Sequence, residues 1–351
     1  MLPLSVRRSS VIAALAAAAL FGAATPFAKQ LLGELAPGLM AGLLYLGSGL
    51  GLMIFRLLRD RGWRGVRLSA SEWLWLGGSI VVGGVLGPVL LMTGLTMTDG
   101  ATASLLLNLE AVFTALLAWM VFKENAGARI VIGMLLIVAG GVVLLWPAGT
   151  EARSFAGAVW VAAACLCWGI DNNLTRKVSA NDAVFLAAVK GLIAGSVNTQ
   201  LALTFGATIP ALSAVSAALL LGLLGYGVSL VLFVVALRGL GTARTGAYFS
   251  TAPFVGAVIA LWLFGDPVSS RLWICGALMS AGVLLHLTER HAHQHRHLPI
   301  VHVHPHVHDE HHRHDHDFAW DGSKPHTHSH QHEELAHTHE HYPDIHHRHE
   351  H

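Results

Sequence analysis

Residues 95–145 read LTMTDGATASLLLNLEAVFTALLAWMVFKENAGARIVIGMLLIVAGGVVLL, and the chain carries this pattern twice. Shifted by 142 positions, residues 237–287 fall on it without a gap. Ala101 meets Ala243, Asn108 meets Ser250, Phe122-Lys123-Glu124 meets Phe264-Gly265-Asp266, Arg129 meets Arg271, and Gly140 meets Gly282. Each copy is an apolar run, a polar break carrying an acid, and a second apolar run ending in small residues. Small and apolar matches arise between any two membrane helices. The aligned acid and arginine in the break mark an internal duplication.

Working outward, 54% of the chain is hydrophobic and 12% charged, against about 25% charged in ordinary globular domains. Most of the remaining polarity lies after residue 288. The net charge of +1 points to no acidic partner, nucleic acid included. Cys165, Cys167 and Cys275 sit inside apolar runs, so they read as packing residues and imply no disulfide framework. Arg7-Arg8 before Val11–Phe21 has the outline of a secretory signal. However, the apolar run continues to Leu32, and Phe21-Gly22 with Lys29 recurs as Trp168-Gly169 with Arg176. It is read as a first membrane helix.

Runs long enough to span a bilayer, about 17–25 residues, fall at 11–32, 38–58, 72–95, 101–122, 128–146, 155–176, 183–205, 212–237, 243–264 and 271–288. The breaks are short, so sequence neighbours run antiparallel. With the N-terminus inside, the inner breaks hold thirteen basic residues: Arg7, Arg8, Arg56, Arg59, Arg61, Arg64, Arg67, Lys123, Arg129, Arg176, Lys177, Arg238 and Arg244. The outer breaks hold Arg153 and Arg271. The excess of basic residues places both termini in the cytoplasm. Five helices per repeat make the halves insert in opposite senses. The expected fold is therefore an all-α, multi-pass membrane protein in the lipid bilayer of a bacterial inner membrane. It has ten transmembrane helices as two inverted five-helix repeats (1–148 and 149–290), followed by a disordered His-rich tail (291–351). A homodimer is compatible with this design.

Glycines inside the helices (Gly77-Gly78, Gly83-Gly84, Gly87, Gly222–Gly227) let backbones approach in lipid. Gly83–Pro88 can equally loosen the third helix so that it bends. The sequence leaves both readings open.

The aromatic-Gly of each half, Leu106-Leu107-Asn108-Leu109-Glu110-Ala111-Val112-Phe113-Thr114-Ala115-Leu116-Leu117-Ala118, and Phe122-Lys123-Glu124 resemble the EamA-type repeat of the drug/metabolite transporter superfamily. Ser250-Thr251-Ala252-Pro253-Phe254-Val255 and Phe264-Gly265-Asp266 follow the same style. Where the family has a proline, the first copy has Ala111 and the second keeps Pro253. The resemblance covers residues 10–288. It implies a ten-helix secondary transporter with a cavity between its halves, not an enzyme, and leaves the substrate open.

A charge near mid-bilayer costs at least about 2.5–3.5 kcal/mol on insertion scales, so each is a functional candidate. Glu110 lies mid-way along the fourth helix with Asn108 beside it, and its counterpart is Ala252. Burial disfavours an ionised carboxyl, which suits proton coupling or cation binding; a protonated, hydrogen-bonded structural glutamate is the alternative. Asp171-Asn172-Asn173 interrupts the sixth helix where the first half has Ala24-Thr25-Pro26, and Lys190 lies at similar depth in the seventh. An Asp171–Lys190 ion pair is expected, as structure or as gate. Asn198, Thr199 and Gln200 add polar groups further along the seventh helix, whereas Thr25 and Lys29 are weaker candidates near a helix end. The expected substrate or coupling cavity is Glu110, Asn108, Asp171, Asn172, Lys190 and Asn198.

All 24 histidines lie at or after His286, 23 of them in residues 291–351. The membrane body therefore offers no histidine chemistry. The tail repeats itself at an offset of 35: His302, His304, His306, His311, His312 and His314 recur as His337, His339, His341, His346, His347 and His349. These twelve are the expected metal ligands. Imidazoles with scattered carboxylates suit divalent Ni, Co, Zn or Cu, and binding needs neutral rings, so it weakens below about pH 6. No cofactor is expected for transport itself. The leading expectation is a transporter of such a metal cation, with the tail gathering it on the cytoplasmic side. A small organic metabolite or drug as cargo, with the tail as buffer, is the alternative. A membrane-anchored metal store or sensor is the third.

Overall fold

The structure is a computed structural model. It describes residues 4–63, 65–66, 68–122, 128–145, 152–178, 181–240, 245, 248–265, 268–288, 292–297, 301–306, 326–331 and 335–340. Residues 1–289 and 290–351 form two compact units.

Among the described residues of the first unit, the regular structure is all helical. The helices are α1 (Leu4–Leu31), α2 (Pro37–Arg59), α3 (Ala70–Ser79, a π-helical turn Ile80–Leu86, Gly87–Leu95), α4 (Gly100–Leu106 and Leu109–Phe122), and α5 (Ala128–Leu145). Then come α6 (Ala152–Arg176), α7 (Ala183–Thr204), α8 (Leu212–Gly222, a π-helical turn Leu223–Val228, Ser229–Leu240), α9 (Ala252–Phe264), and α10 (Ser270–Leu287). Eight of these are long and apolar enough to cross a bilayer, and α9 and α10 are shorter apolar helices. The ninth run, expected from residue 243, is helical among its described residues at Thr245 and Tyr248-Phe249, turns at Ser250-Thr251, and continues as α9 from Ala252. Pro253 explains the restart, since proline sits well in a first helical turn and poorly further in. The first copy turns at the matching place, Leu107-Asn108.

Both π turns also obey the duplication, because residues 80–86 shifted by 142 land on 222–228. Wider π hydrogen bonding loosens the backbone and frees carbonyls. At Gly83–Pro88 the chain makes an irregular turn that is also closely packed.

Equivalent helices of the two halves pack antiparallel, which makes the repeat inverted. Along α2 and α7, Gly42 abuts Thr199, Leu46 abuts Gly195, and Gly49 abuts Gly191, so one number falls as the other rises. A Cβ at Gly42, Gly49 or Gly195 would collide with the facing helix's backbone. The α5–α10 pair repeats the arrangement, with Gly140 against Cys275 and Met279 and Gly282 against Gly133 and Ile137. Large apolar side chains such as Leu74, Leu212, Trp262 and Trp273 stay exposed on the outer surface, as a lipid-facing surface requires. The three cysteines are unbridged.

One end of the α2–α7 seam is locked by charge. Arg56, only 2% exposed, lies 3.3 Å from Asp182 and under the rings of Trp63 and Phe185, while Arg59 Nη2 donates to Asp182 at 2.7 Å. Asp182 also caps α7, accepting from the Val184 and Phe185 amides. Partial burial works to raise its pKa; hydrogen bonds from Arg59, the Phe185 amide and Arg56 outweigh this and hold the carboxyl below its usual range.

The second unit is described only in part, at residues 292–297, 301–306, 326–331 and 335–340. Four strands are described: β1 (Ala292–His297), β2 (Val301–His306), β3 (His326–Gln331) and β4 (Leu335–Glu340). β1 pairs with β4 and β2 with β3, both antiparallel. His alternating with Val, Thr or Ser is a period-2 pattern, and it is where the strands form. Among the expected metal ligands, His302, His304 and His306 fall in β2 and His337 and His339 in β4. His311, His312, His314, His341, His346, His347 and His349 lie outside the described residues.

Candidate functional site

Asp171 and Asn172 are consecutive on α6, so their side chains diverge by about 100°. That divergence divides the site. Asp171 is 6% exposed and faces α3 and α7. Its carboxylate pairs with the Lys190 ammonium and accepts from Ser79 Oγ at 2.5 Å and Thr175 Oγ1 at 3.0 Å. The expected ion pair is therefore present, with two hydroxyls satisfying the rest of the carboxylate. Gly83 lies directly against Asp171, and a Cβ there would occupy the carboxyl's place.

Asn172 turns instead to α4. Its Nδ2 donates to Glu110 Oε1 at 2.9 Å and to Thr114 Oγ1 at 3.1 Å. Asn172 is exposed and Glu110 half-buried, so this pair borders open space rather than packed protein. Asn173 donates to the carbonyls of Thr114 and Gly169 and fastens α6 to α4. Gly169 makes that approach close, since a Cβ there would strike Phe113 and Thr114.

Two expected cavity residues lie elsewhere. Asn108 is buried at the break in α4, where it donates to Leu105 O at 2.9 Å and contacts Met279 Sδ of α10 at 3.8 Å. It repairs the helix break, helped by Cys165, whose thiol approaches Leu106 O at 3.6 Å. Asn198 donates to the carbonyls of Gly84 and Val85, at 3.3 and 3.2 Å. It also lines an apolar cleft of about 530 Å³ between α3 and α7, bordered by Val85, Leu86, Leu201 and Phe205. Thr25 is buried in α1, and Lys29 Nζ donates to Leu95 O and Thr98 O at the end of α3.

Sequence reasoning missed Tyr45 and Trp168. Tyr45 Oη and Trp168 Nε1 both donate to Gly83 O at 3.0 Å. Together with Asn198 they occupy three successive carbonyls, Gly83 to Val85, within the π turn. In lipid such carbonyls must find partners inside the protein. Trp168 was visible only as the repeat's aromatic-Gly. The signal for its role was a glycine-rich, proline-terminated helix that needed outside donors. Tyr45 also meets Tyr226 of α8 with ring centroids 5.8 Å apart, which links the π turns of the two halves. Among the described residues of the helical unit, no three His, Cys, Asp or Glu side chains converge as a metal site.

Residues 8–146 and 155–288 each match the EamA-like transporter family. The chain belongs to that family. It contains two EamA domains, consistent with the drug/metabolite transporter superfamily, and is a multi-pass membrane protein. A protein named as an uncharacterized transporter from Methanothermobacter thermautotrophicus is 28% identical over 290 residues, covering 78% of this chain and 84% of the relative. A probable terminal-alkyne amino-acid exporter from Streptantibioticus cattleyicolor is 28% identical over 200 residues, covering 56% of this chain and 67% of the relative. A solved crystal structure superposes with a TM-score of 0.60 at 20% identity, covering 79% of this chain and 95% of the other. That likeness concerns the fold alone.

Proposed function

We propose that this EamA transporter moves a small amphoteric organic solute, of the amino-acid kind, past the Glu110–Asn172 and Asp171–Lys190 groups by alternating access. The observation that carries this is the company of Lys190. A fixed ammonium next to Asp171, with Glu110 one helix face away, offers a partner for a carboxylate and another for an amine. The same ammonium repels a bare divalent cation, and oxygen ligands alone suit nickel, cobalt or zinc poorly. The amino-acid exporter among the relatives supports the same class of cargo.

Solute carboxylate competes with Asp171 for Lys190, which opens the contact among α3, α6 and α7. Glu110 carries the coupling proton. The bias of basic residues supports cytoplasmic termini and a bacterial inner membrane. The chain transports without catalysing a reaction.

The test is uptake of radiolabelled amino acids into proteoliposomes under an imposed pH gradient. Wild type should respond to the gradient and Glu110→Gln should not. Glu110→Gln transport with an unchanged gradient response would remove the proton role. Absence of counterflow for every amino acid tried would remove the cargo class.

A second reading has its own observation, the 23 histidines after residue 290. The cargo is then a transition-metal cation, gathered by the tail. In a null strain, full-length protein would lower cell nickel, cobalt or zinc, and Glu110→Ala would not.

A further inference from the structure

We infer that the pocket has two unlike walls, and that its cargo is an amphoteric solute with a bulky apolar side chain, gauged by Tyr226. This deepens the amino-acid reading above and rests on it. One wall is the charged set already described, Asp171 with Lys190 and Glu110 with Asn172. The other is a row of rings. Tyr45 meets Tyr226 with centroids 5.8 Å apart, Tyr226 meets Phe21 at 5.6 Å, and Phe21 meets Phe249 at 5.3 Å. The row thus runs from α2 through α8 and α1 to the residues just ahead of α9.

The rings join the charges at one end. Tyr45 donates to Gly83 O, and Gly83 lies against Asp171. One residue on, a Cβ at Gly84 would lie 3.6 Å from the Tyr45 ring and 3.5 Å from the Lys190 chain. Tyr45 therefore stands beside both members of the ion pair. Glu110 is near enough for its charge to act on the hydroxyls of Tyr45 and Tyr226. All four rings are half-buried, as Glu110 is, and Asn172 next to Glu110 is exposed. Charges and rings border one open space.

The duplication explains why the ring wall belongs to one half. Shifted by 142, Gly84 in the π turn of α3 falls on Tyr226 in the π turn of α8. A Cβ at Gly84 would strike the Ala194 methyl, so the first half has no room for a side chain there. In the second half, Ala24 stands against the turn where the first half has Asp171. One half brings charge to its turn, and the other brings a ring.

A solute that fits both walls is charged at one end and apolar at the other. Its carboxylate meets Lys190 and its amine meets Glu110. Its remaining surface lies on rigid ring faces, which reward apolar and aromatic groups. A charged or hydroxylated side chain would lose its hydration there for little return. The rings therefore select by side chain, and the charges select by backbone.

The experiment is counterflow in proteoliposomes with solutes alike in ammonium and carboxylate: phenylalanine and leucine against serine and glutamate. Wild type should favour the first two by at least about tenfold in half-saturating concentration, the scale of discrimination an apolar pocket supplies. Tyr226→Ser should erase that preference by weakening phenylalanine and leucine alone. Tyr226→Phe, which keeps the ring, should retain it. Equal weakening of all four solutes by Tyr226→Ser would overturn the inference, leaving Tyr226 a packing residue. So would wild-type transport that ranks serine with phenylalanine. Should Tyr226→Ser not reconstitute, Tyr226→Leu takes its place and should weaken phenylalanine relative to leucine; an unchanged ratio would overturn the inference. If no amino acid counterflows, the amino-acid reading fails, and the ring wall is tested without it. Phenethylamine, which has an amine and a ring but no carboxylate, should then raise the unfolding temperature of wild type and Tyr226→Phe in detergent, and not that of Tyr226→Ser. No such stabilisation would remove the ring wall as well.

Discussion

The π turn of α3 and the π turn of α8 occupy equivalent places, yet their surroundings share little chemistry. At α3, Gly83 lies against the carboxyl of Asp171 and gives its carbonyl to Tyr45 and Trp168. At α8, the equivalent Gly225 lies against the methyl group of Ala24, and Phe21 stands where the other half has Trp168. Phe21 has no N–H to donate; it packs edge-on against Tyr226 with centroids 5.6 Å apart. Both copies therefore keep the backbone irregularity, and only one of them has polar surroundings. The polar copy holds α3, α6 and α7 together through directional bonds, and the apolar copy rests on packing. The polar copy holds the Asp171–Lys190 pair, on which the proposed solute exchange rests.

The comparison can be broken most sharply at Lys190. Lys190→Met leaves Asp171 charged and without its cation, at an expected cost of about 3–5 kcal/mol. Thermal unfolding in detergent should show the loss. Adding Asp171→Asn should recover most of the stability while transport stays abolished. Recovery of neither would mean that the pair is not the unit described. The converse change, Ala24→Asp, gives the apolar copy a carboxyl facing Gly225. With no lysine supplied, the expected penalty is about 2.5–3.5 kcal/mol, the insertion cost of a lone charge, read as lowered membrane yield. Trp168→Phe makes the polar copy resemble the apolar one by a single hydrogen bond. The expected loss is about 1 kcal/mol, measured by the same unfolding assay, with larger effects on transport than on stability.

The smallest effect lies at the seam's charged end. Asp182 titrates below its unfolded value, so its contribution is present above about pH 3.9 and disappears as pH falls through the lower folded value. Unfolding curves of wild type and Asp182→Asn should differ near neutrality and converge below about pH 4. A constant difference across that range would remove the carboxylate from the account.

Much of this architecture was legible because a bilayer restricts the alternatives. Apolar runs of bilayer length can only be helices, and the 142-residue repeat with its antiparallel breaks left little choice of topology. Asp171 and Lys190 were legible as partners because two opposite charges at one depth have few other solutions. Asn108 and Asn198 were legible only as polar groups inside the bundle. A buried amide advertises only that something polar needs it, and here the need was a broken helix in one case and a π turn in the other. Both needs depend on backbone hydrogen bonding that residue identity does not display. Trp168 and Tyr45 escaped notice similarly, since amphipathic aromatics reveal their polar ends only when an acceptor is placed beside them. The turns inside the fourth and ninth runs were not foreseen, because periodicity cannot see a turn made inside an apolar run.

The glycine seam between α2 and α7 has a mechanical consequence. Backbones already in contact at Gly42, Gly49, Gly191 and Gly195 cannot be squeezed, and separating them would open a void that lipid tails fill badly. What remains is turning about the line of contact, as around an axle. Spin labels placed on α2 and α7 should keep their separation through a transport cycle, while labels spanning α3 and α8 should report the stroke.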